Sequence, residues 1–435
     1  MLLHNINEYK LQNGLKLICL KKNGAPIVSV QVWYKTGSIN EQDGIRGISH
    51  VLEHMMFRGS KQFKSEEHAN RINSIGGHCN AFTAEDVTVY MNSVPRNYLD
   101  MVLDLESDRM RNLTLDESLF QTERRVIIEE YHTYMNNPVG KAFLEFRQEF
   151  FKGHPYNTSP LGKLQDLQDL TVEKCRNYYD QWYAPENVVL VIVGDFDETT
   201  ILSRVADRFG NLSSKAKSSV SPVVTTNEIP HSSRKKQKVD FDVPVLIVGY
   251  PAPPSSHEDA VALEILQMVI SGGESSRLYR EVVRKQSLAV MASGMNQLLK
   301  YSGISMFFAI FTPDVRAANV EAAIVEQMKK IQAEGITDAE MEKVKNSSLT
   351  GRTFELYTID NICHRIGHSE CIEGDYRLWV ERLEALKKLD RDHLIDVARK
   401  YWDDSKCHVL HLQPRAINPL LFAGGILRRL FSKRG

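Results

Sequence analysis

The chain has 435 residues and a mass of 49.6 kDa, which is too long for one ordinary core, so we expect roughly two to four domains. Its 54 Lys and Arg residues balance its 55 Asp and Glu residues, which argues against a basic field for nucleic acid over the whole protein. The content of 42% hydrophobic and 25% charged residues is typical of a soluble globular protein, and no apolar run approaches the ~20 residues of a membrane span.

The first half of the chain shows alternating strand and helix patterns. Alternation of Val28, Val30, Val32 and Tyr34 with polar or aromatic neighbours predicts a strand over 26–35. The continuous apolar run 188–193, which Gly194 ends, predicts a buried strand. Further elements are predicted from their periodicity: helices at about 46–58, 65–75, 96–112, 116–135 and 139–151, and a strand over 87–94.

The second half repeats this order of elements. We predict strands at 245–250, 302–311 and 408–412, with helices at 257–271, 275–286 and within 313–398. The repeat predicts an α+β protein of two similar domains, each a mostly antiparallel sheet with helices packed on one face. The predicted boundaries are a first domain over 1–210, a linker over 211–230, a second domain over 231–415 and a basic apolar tail over 416–435.

Residues 50–54 read His-Val-Leu-Glu-His and carry the first chemical signal. On a helix the apolar neighbours form one stripe, while His50, Glu53 and His54 fall on the opposite side. Two histidines at i and i+4 direct their ring nitrogens to one point, which suits Zn²⁺. Taken alone, the pattern also fits three polar residues on a solvated face.

A second helix, over 116–135, strengthens the metal interpretation. Its apolar stripe is interrupted by Glu123 and Glu130, seven positions apart, whereas Glu129 points elsewhere. A carboxylate on a buried face needs a cation or strong donors. We therefore predict Glu130 as the third zinc ligand and Glu123 as a residue that orients a ligating histidine. The alternative is a buried pair satisfied by arginine or backbone groups.

Together these residues resemble the inverted zincin motif His-x-x-Glu-His of the pitrilysin-like zinc peptidases. The resemblance covers nearly the whole chain through five segments: GISHVLEHMMFRGS at 47–60, GGHCNAFT at 76–83, DVTVY at 86–90, YAPEN at 183–187 and GESSRLY at 273–279. The chain length is similar to that of the two-domain, processing-peptidase-like branch.

This resemblance implies a zinc metalloendopeptidase subunit with one Zn²⁺ per chain, whose two domains form half of a clamshell. Glu53 would act as the catalytic base, and extended peptides or unfolded segments would be the substrates. A substrate would add as a strand beside Asn80, Ala81 and Phe82, where a small residue permits close approach. Asn80 also fits a turn. The alternative function is a non-catalytic structural or peptide-binding subunit, although in such relatives the zinc motif is typically degraded.

The resemblance also predicts that a partner chain is needed. Family members carry an Arg and a Tyr, seven positions apart, that bind substrate and help to stabilise the oxyanion. These positions fall on Val283 and Val290, whose side chains donate no hydrogen bond, while Arg284 lies one position away. We therefore expect a heterodimer with a related chain that carries the pair, or a homodimer when the chain is alone.

The sequence contains three weaker signals. Cys363, His364, His368 and Cys371 match no common zinc template, so we interpret them as part of an ordinary helix, and reduced thiols are expected throughout. The tail over 416–435 fits weak membrane-surface contact, docking on a partner or disorder. No secretory signal is visible, which predicts a cytoplasmic location, or a periplasmic or organellar one if a presequence has been removed.

Overall fold

The computed structural model describes residues 5–213, 232–416 and 418–432, the last five of these by backbone only. Most of the predicted linker at 211–230 lies outside the described residues.

Strands and helices are numbered in chain order. The strands are β1 (Ile6–Lys10), β2 (Lys16–Lys21), β3 (Ile27–Tyr34), β4 (His78–Thr83), β5 (Thr88–Pro95), β6 (Val188–Gly194), β7 (Ser233–Val239), β8 (Val245–Ala252), β9 (Met291–Leu298), β10 (Gly303–Ile310) and β11 (His408–Pro414). The helices are α1 (Ile48–Met55), α2 (Glu67–Ser74), α3 (Leu99–Arg111), α4 (Glu117–Asn136), α5 (Pro138–Phe150), α6 (Leu164–Asp169), α7 (Val172–Trp182), α8 (Ile201–Phe209), α9 (Ala260–Ser271), α10 (Ala317–Glu334), α11 (Asp338–Glu355), α12 (Ile359–His368), α13 (Leu378–Lys388), α14 (Arg391–Tyr401) and α15 (Pro419–Ser432).

Apart from the additional edge strand β1 of the first sheet, the two sheets share one topology, which confirms the predicted duplication. The first has the strand order β1-β2-β6-β3-β5-β4, and the second has the order β7-β11-β8-β10-β9. In each sheet only one pair is parallel, β2 with β6 and β7 with β11, and the other pairs are antiparallel. The α+β class with two mostly antiparallel sheets is therefore confirmed.

The chain divides into two compact units that are not continuous halves of the sequence. The first contains residues 5–136, 158–213 and 352–380, and the second contains residues 137–157, 232–351, 381–416 and 418–432. Helix α5 thus belongs to the second unit, where Phe150 lies 4.7 Å from the His408 ring and Phe143 lies 5.2 Å from the Phe308 ring. Helix α12 belongs to the first unit.

The first sheet is buried on both faces. Val28, Val30, Val32 and Tyr34 contact the main helical core, as their alternation predicts. Trp33 lies on the opposite face among residues of α12 such as Ile362 and Ile366. The second sheet has its own core, built from β8 and β10 against α9, α10 and α14.

The cysteines and the tail can also be placed. All six cysteines are free, as expected for reduced thiols. Most of the predicted tail forms α15, on which Leu420 and Leu427 are exposed. Among the described residues, no helix combines the length and the apolar composition that a membrane span requires.

The contact between α12 and the sheet generates a first prediction. A Cβ at Gly367 would lie 2.2 Å from two atoms of the Trp33 ring, and Trp33 is fully buried. Gly367→Ala should lower the free energy of unfolding by about 1–3 kcal/mol because the core cannot accommodate the extra carbon. Urea unfolding followed by tryptophan fluorescence and circular dichroism measures this change.

Gly351 in α11 is the matched control, because a Cβ there would meet nothing within 4 Å. Gly351→Ala should be neutral, or should stabilise by up to about 1 kcal/mol through helix propensity. Equal effects of the two substitutions would contradict tight packing of α12 on Trp33.

Candidate metal centre

The sequence before α1 fixes where this helix starts. Gly47 precedes the helix with a φ of 100°, and a Cβ there would lie 2.7 Å from the Leu167 side chain. The buried carboxylate of Glu41 accepts hydrogen bonds from the backbone N–H groups of Gly47 at 2.7 Å and Ser49 at 2.9 Å. A carboxylate at this end is favourable because it satisfies free N–H groups and the helix dipole. The start of α1, and hence the direction of its histidines, is therefore fixed.

Helix α1 buries one face and presents the other to α4. Its buried apolar residues are Ile48, Val51, Leu52 and Met55. On the other face, His50 Nε2 lies 3.7 Å from Glu130 Oε2, and His54 Nε2 lies 3.9 Å from the same oxygen. The three ligand atoms lie within 4.8 Å of one another, and they form a group of metal-ligand type among the described residues.

The donor set fits Zn²⁺. Two ligand atoms about 2.0–2.1 Å from a tetrahedral ion are separated by roughly 3.4 Å, close to the distances from Glu130 Oε2 to the two histidines. These distances are too long for hydrogen bonds, so the three groups do not satisfy one another. Burial, with a smaller contribution from His54, lowers the pKa of His50 to about 4. His50 is therefore neutral near pH 7, as a metal ligand must be.

Glu123 contacts the ring nitrogen of His54 that faces away from Glu130, and Arg58 contacts Glu123. The Nδ1 atom of His54 lies 3.1 Å from Glu123 Oε2, whose side chain is 5% exposed. The other Glu123 oxygen lies 2.8 Å from Arg58 Nε. A carboxylate accepts a hydrogen bond from Nδ1–H, which leaves the lone pair of Nε2 directed toward Glu130. The structure thus places Glu123 where the sequence predicts a residue that orients a histidine.

Glu53 lies on the same helix and is held by the first sheet. Its Oε2 atom accepts a hydrogen bond of 2.8 Å from Thr83 Oγ1 on β4. Burial raises the pKa of Glu53, with an added contribution from the Glu130 charge, while Thr83 and His54 oppose the rise. A carboxyl group with a raised pKa beside a metal-ligand set is suited to proton transfer.

Strand β4 is an edge of the first sheet and carries the predicted substrate-binding residues. Asn80, Ala81 and Phe82 pair with β5, so Asn80 lies in a strand and not in a turn. The backbone N–H of Ala81 donates to the side-chain oxygen of its neighbour Asn80 at 2.9 Å. Because this amide bonds its own neighbour and not β5, it points toward the free edge of the sheet. The Phe82 ring lies 6.1 Å from Trp33 and 5.9 Å from His364.

Helix α4 departs from the prediction in its degree of burial. The sequence places Glu130 and Val126 on a buried stripe, but the Glu130 side chain is 46% exposed and Val126 is 42% exposed. Glu123 is the acid that is buried, and Glu129 is exposed as predicted. The reason is that α4 contacts α1 along part of its width only, so the line through Glu130 lies at the border of the core.

The predicted positions of the missing Arg and Tyr differ in exposure. Val283 is 5% exposed within the core of the second unit, and Val290, just before β9, is 51% exposed. The segment Tyr279–Lys285 is a π-helical turn where the sequence predicts an ordinary helix. The Arg284 guanidinium lies over the Tyr279 ring at 5.4 Å.

The cluster around Cys363 packs against the sheet. The Cys363 thiol donates to the Val191 carbonyl oxygen at 3.4 Å, and the His364 ring lies 5.2 Å from Trp33. Within the described ranges, Cys363, His364, His368 and Cys371 do not form a group that could hold a metal ion.

Three residues of the site were missed in the sequence: Glu41, Arg58 and Thr83. Arg58 had a usable signal, because it follows His54 by four positions within the helix predicted at 46–58. Glu41 and Thr83 had none, because their partners are fixed by a loop and by a strand that is distant in sequence.

With this fold and site, the chain has the features of an inverted zincin, and two family models match it. "Insulinase (Peptidase family M16)" matches residues 17–162, and "Peptidase M16 inactive domain" matches residues 169–348. The chain therefore belongs to the pitrilysin-like peptidase family M16, as its zinc motif suggested.

Similar proteins cover nearly the whole chain. "Zinc protease PqqE" of Helicobacter pylori is 28% identical over 409 residues, covering 93% of this chain and 92% of that protein. "Uncharacterized zinc protease YmxG" of Bacillus subtilis is 26% identical and covers 92% of this chain and 96% of its own length. A crystal structure of a protease from Helicobacter pylori has a TM-score of 0.89 and 27% identity, covering 94% of this chain and 99% of that one.

The contact between Glu123 and His54 generates a second prediction. Glu123→Gln should weaken zinc affinity about 10- to 100-fold, because a neutral amide fixes the histidine tautomer less firmly than a carboxylate. Competition with a chromophoric chelator measures the affinity. Glu129→Gln is the control, since Glu129 is exposed on the same helix. Equal zinc affinity in the two variants would contradict the orienting role of Glu123.

Proposed function

We propose that the chain is the zinc-bearing subunit of a metalloendopeptidase that cleaves extended peptides or unfolded segments. The observation that carries the proposal is the convergence of His50, His54 and Glu130 on one point, with the Glu53 carboxyl group beside it on the same face of α1. A zinc ion held there, one per chain, would polarise the scissile carbonyl and acidify the attacking water.

Glu53 is the proton carrier in this proposal. Its carboxylate takes a proton from the attacking water and returns that proton to the leaving amine nitrogen. Thr83 donates to one Glu53 oxygen, which leaves the other oxygen for the water. Burial raises the pKa of Glu53 and so opposes the lowering that a cation bound beside it would cause.

The free edge of β4 binds the peptide. A substrate strand would pair with the outward backbone groups of β4, including the Ala81 N–H that Asn80 now occupies. The Asn80 side chain would then move to a substrate group. Since Thr83 belongs to the same strand and bonds Glu53, the peptide and the base are aligned by one element.

The complete enzyme would require a second chain. Val283 and Val290 offer no donor for a developing oxyanion, and Val283 is buried in the core. A related chain with an Arg and a Tyr at the equivalent positions would supply these donors in a heterodimer. Non-catalytic membership of the family is less well supported, because all three metal-ligand residues and Glu53 are present and converge.

The third prediction separates the base from the metal ligands. Glu53→Gln should keep one zinc per chain and lower peptide hydrolysis by about 10²–10⁴, because only the general base is lost. His54→Ala should lose the zinc as well. Zinc is measured by atomic emission and hydrolysis with a quenched fluorescent peptide.

The assignment of roles would fail if Glu53→Gln lost its zinc or if His54→Ala retained it fully. Glu129→Gln, which has the same chemistry at an exposed position on α4, should keep both zinc and activity.

The fourth prediction concerns the partner. The isolated, zinc-loaded chain should hydrolyse peptides about 10²–10³ times more slowly than with a partner that carries the Arg/Tyr pair, by analogy with the loss of one oxyanion donor. The Glu53→Gln variant with the same partner should remain inactive, which assigns the reaction to this chain. Full activity of the isolated chain, unchanged by the partner, would contradict the requirement.

A further inference from the structure

The second unit contains a cavity of about 670 Å³ that has no role in the proposed hydrolysis. It lies between the β7 end of the second sheet and the start of α10. A volume of this size is typical of sites for small organic ligands. The cavity therefore has room for much more than a single inorganic ion.

The register of the sheet explains why the cavity is basic. Lys236 on β7 is paired with His411 on β11, which is paired with Leu246 on β8. Neighbouring residues in register point to the same face of a sheet, and Leu246 belongs to the helix-covered core. Lys236 and, two residues later, Lys238 therefore project along the cavity wall, whereas Lys235 points to the opposite face, near Glu149.

The cavity has an excess of positive charge. Within the part of the chain that the structure describes, Lys236, Lys238 and Arg316 line it without forming an ion pair. The one acid in the lining, Glu321, is 2.7 Å from Arg234 and is thus already neutralised. The three positive charges repel one another across the cavity, and a bound anion would offset this electrostatic repulsion.

The N-terminus of helix α10 lies at the same wall. Its N-cap residue is Arg316, with no side-chain cap, and its first turn contains no acid. Ala317 and Ala318 line the cavity at this end of an 18-residue helix. The N-terminus of a helix attracts anions through its free N–H groups and its dipole.

Apart from Gln413 and Arg415, which is paired with Asp240, the remaining walls are apolar or aromatic. Leu246, Phe311 and Val315 line the cavity, and the Phe311 ring stacks with His411 at 6.0 Å. The Nε2 atom of His411 is buried and has no hydrogen-bond partner among the described residues. A ligand with a ring or another apolar body, and with a polar group toward His411, fits these walls.

We propose that this cavity binds a small organic phosphate, with the phosphate between Lys236, Lys238 and the start of α10, and with the organic body against Phe311. Phosphate fits better than a carboxylate, because its charge approaches −2 and its three oxygens can accept from several donors at once. The site is independent of the metal centre.

Titration calorimetry with the full zinc-loaded chain, at constant ionic strength, tests the proposal with three probes. Adenosine 5′-monophosphate should bind, inorganic phosphate should bind at least tenfold more weakly, and adenosine should not bind at the same concentrations. The Lys236→Ala/Lys238→Ala double variant should weaken binding of the nucleotide at least tenfold. Arg316→Gln should also weaken binding of the nucleotide.

Lys235→Ala is the matched control on the same strand and should leave the affinity unchanged. The proposal would be overturned by the absence of nucleotide binding at millimolar concentration, by adenosine binding as tightly as the nucleotide, or by an equal loss in Lys235→Ala. Inorganic phosphate binding as tightly as the nucleotide would overturn the organic part of the assignment. Zinc content and circular dichroism, measured for every variant, show that each remains folded and metal-loaded.

Discussion

The meeting of α1 and α4 at one point is the constraint on which the site depends. Each helix must bury its apolar face, and doing so brings His50, His54 and Glu130 within 4.8 Å of one another. Glu53 and Glu123 lie beside them, so three carboxyl groups crowd one half-buried region. Without a cation, desolvation and mutual repulsion oppose this arrangement, as the raised pKa of Glu53 shows. A divalent ion bound to this group would offset both penalties and would therefore stabilise the site.

The residues around the ligands hold the geometry from three directions. Glu41 fixes the start of α1, Arg58 holds Glu123 against His54, and Thr83 ties Glu53 to the edge strand. Each acts through a charge or a hydrogen bond on α1, on a neighbour of a histidine or on the Glu53 carboxyl group. Such supporting contacts determine ligand basicity and orientation, so their loss changes affinity without removing a ligand.

Local periodicity was sufficient to predict which residues converge in the candidate metal-ligand group and much of the core, but not the contacts between distant segments. His50 and His54 are related by the helical repeat, and the alternation of β3 correctly separates Val32 from Trp33. The bond from Thr83 to Glu53 follows no spacing rule, because it depends on how β4 packs under α1. Strand β7 (Ser233–Val239) is not among the strands predicted from the sequence. In the sequence its lysines resemble a solvated surface, because β11, the strand that pairs with β7, lies far along the chain. The assignment of α5 to the second unit and of α12 to the first could not be predicted either, because the periodicity of a helix does not indicate which sheet the helix covers.

The duplicated topology shows why, among the described residues, the candidate metal-ligand group lies in the first unit. In the second unit α9 follows β8 as α1 follows β3, and α11 takes the place of α4. Nine of the twelve residues of α9 are buried, so it has no polar face like that of α1. Its acid Glu264 accepts a hydrogen bond of 3.0 Å from Ser348 on α11, where the first unit has converging histidines and a carboxylate. In the second unit a hydroxyl–carboxylate hydrogen bond thus joins the two helices at this place. The second copy does not have to hold such a group in place, and its sheet can therefore form a basic cavity at β7 while the first copy keeps its candidate metal-ligand residues.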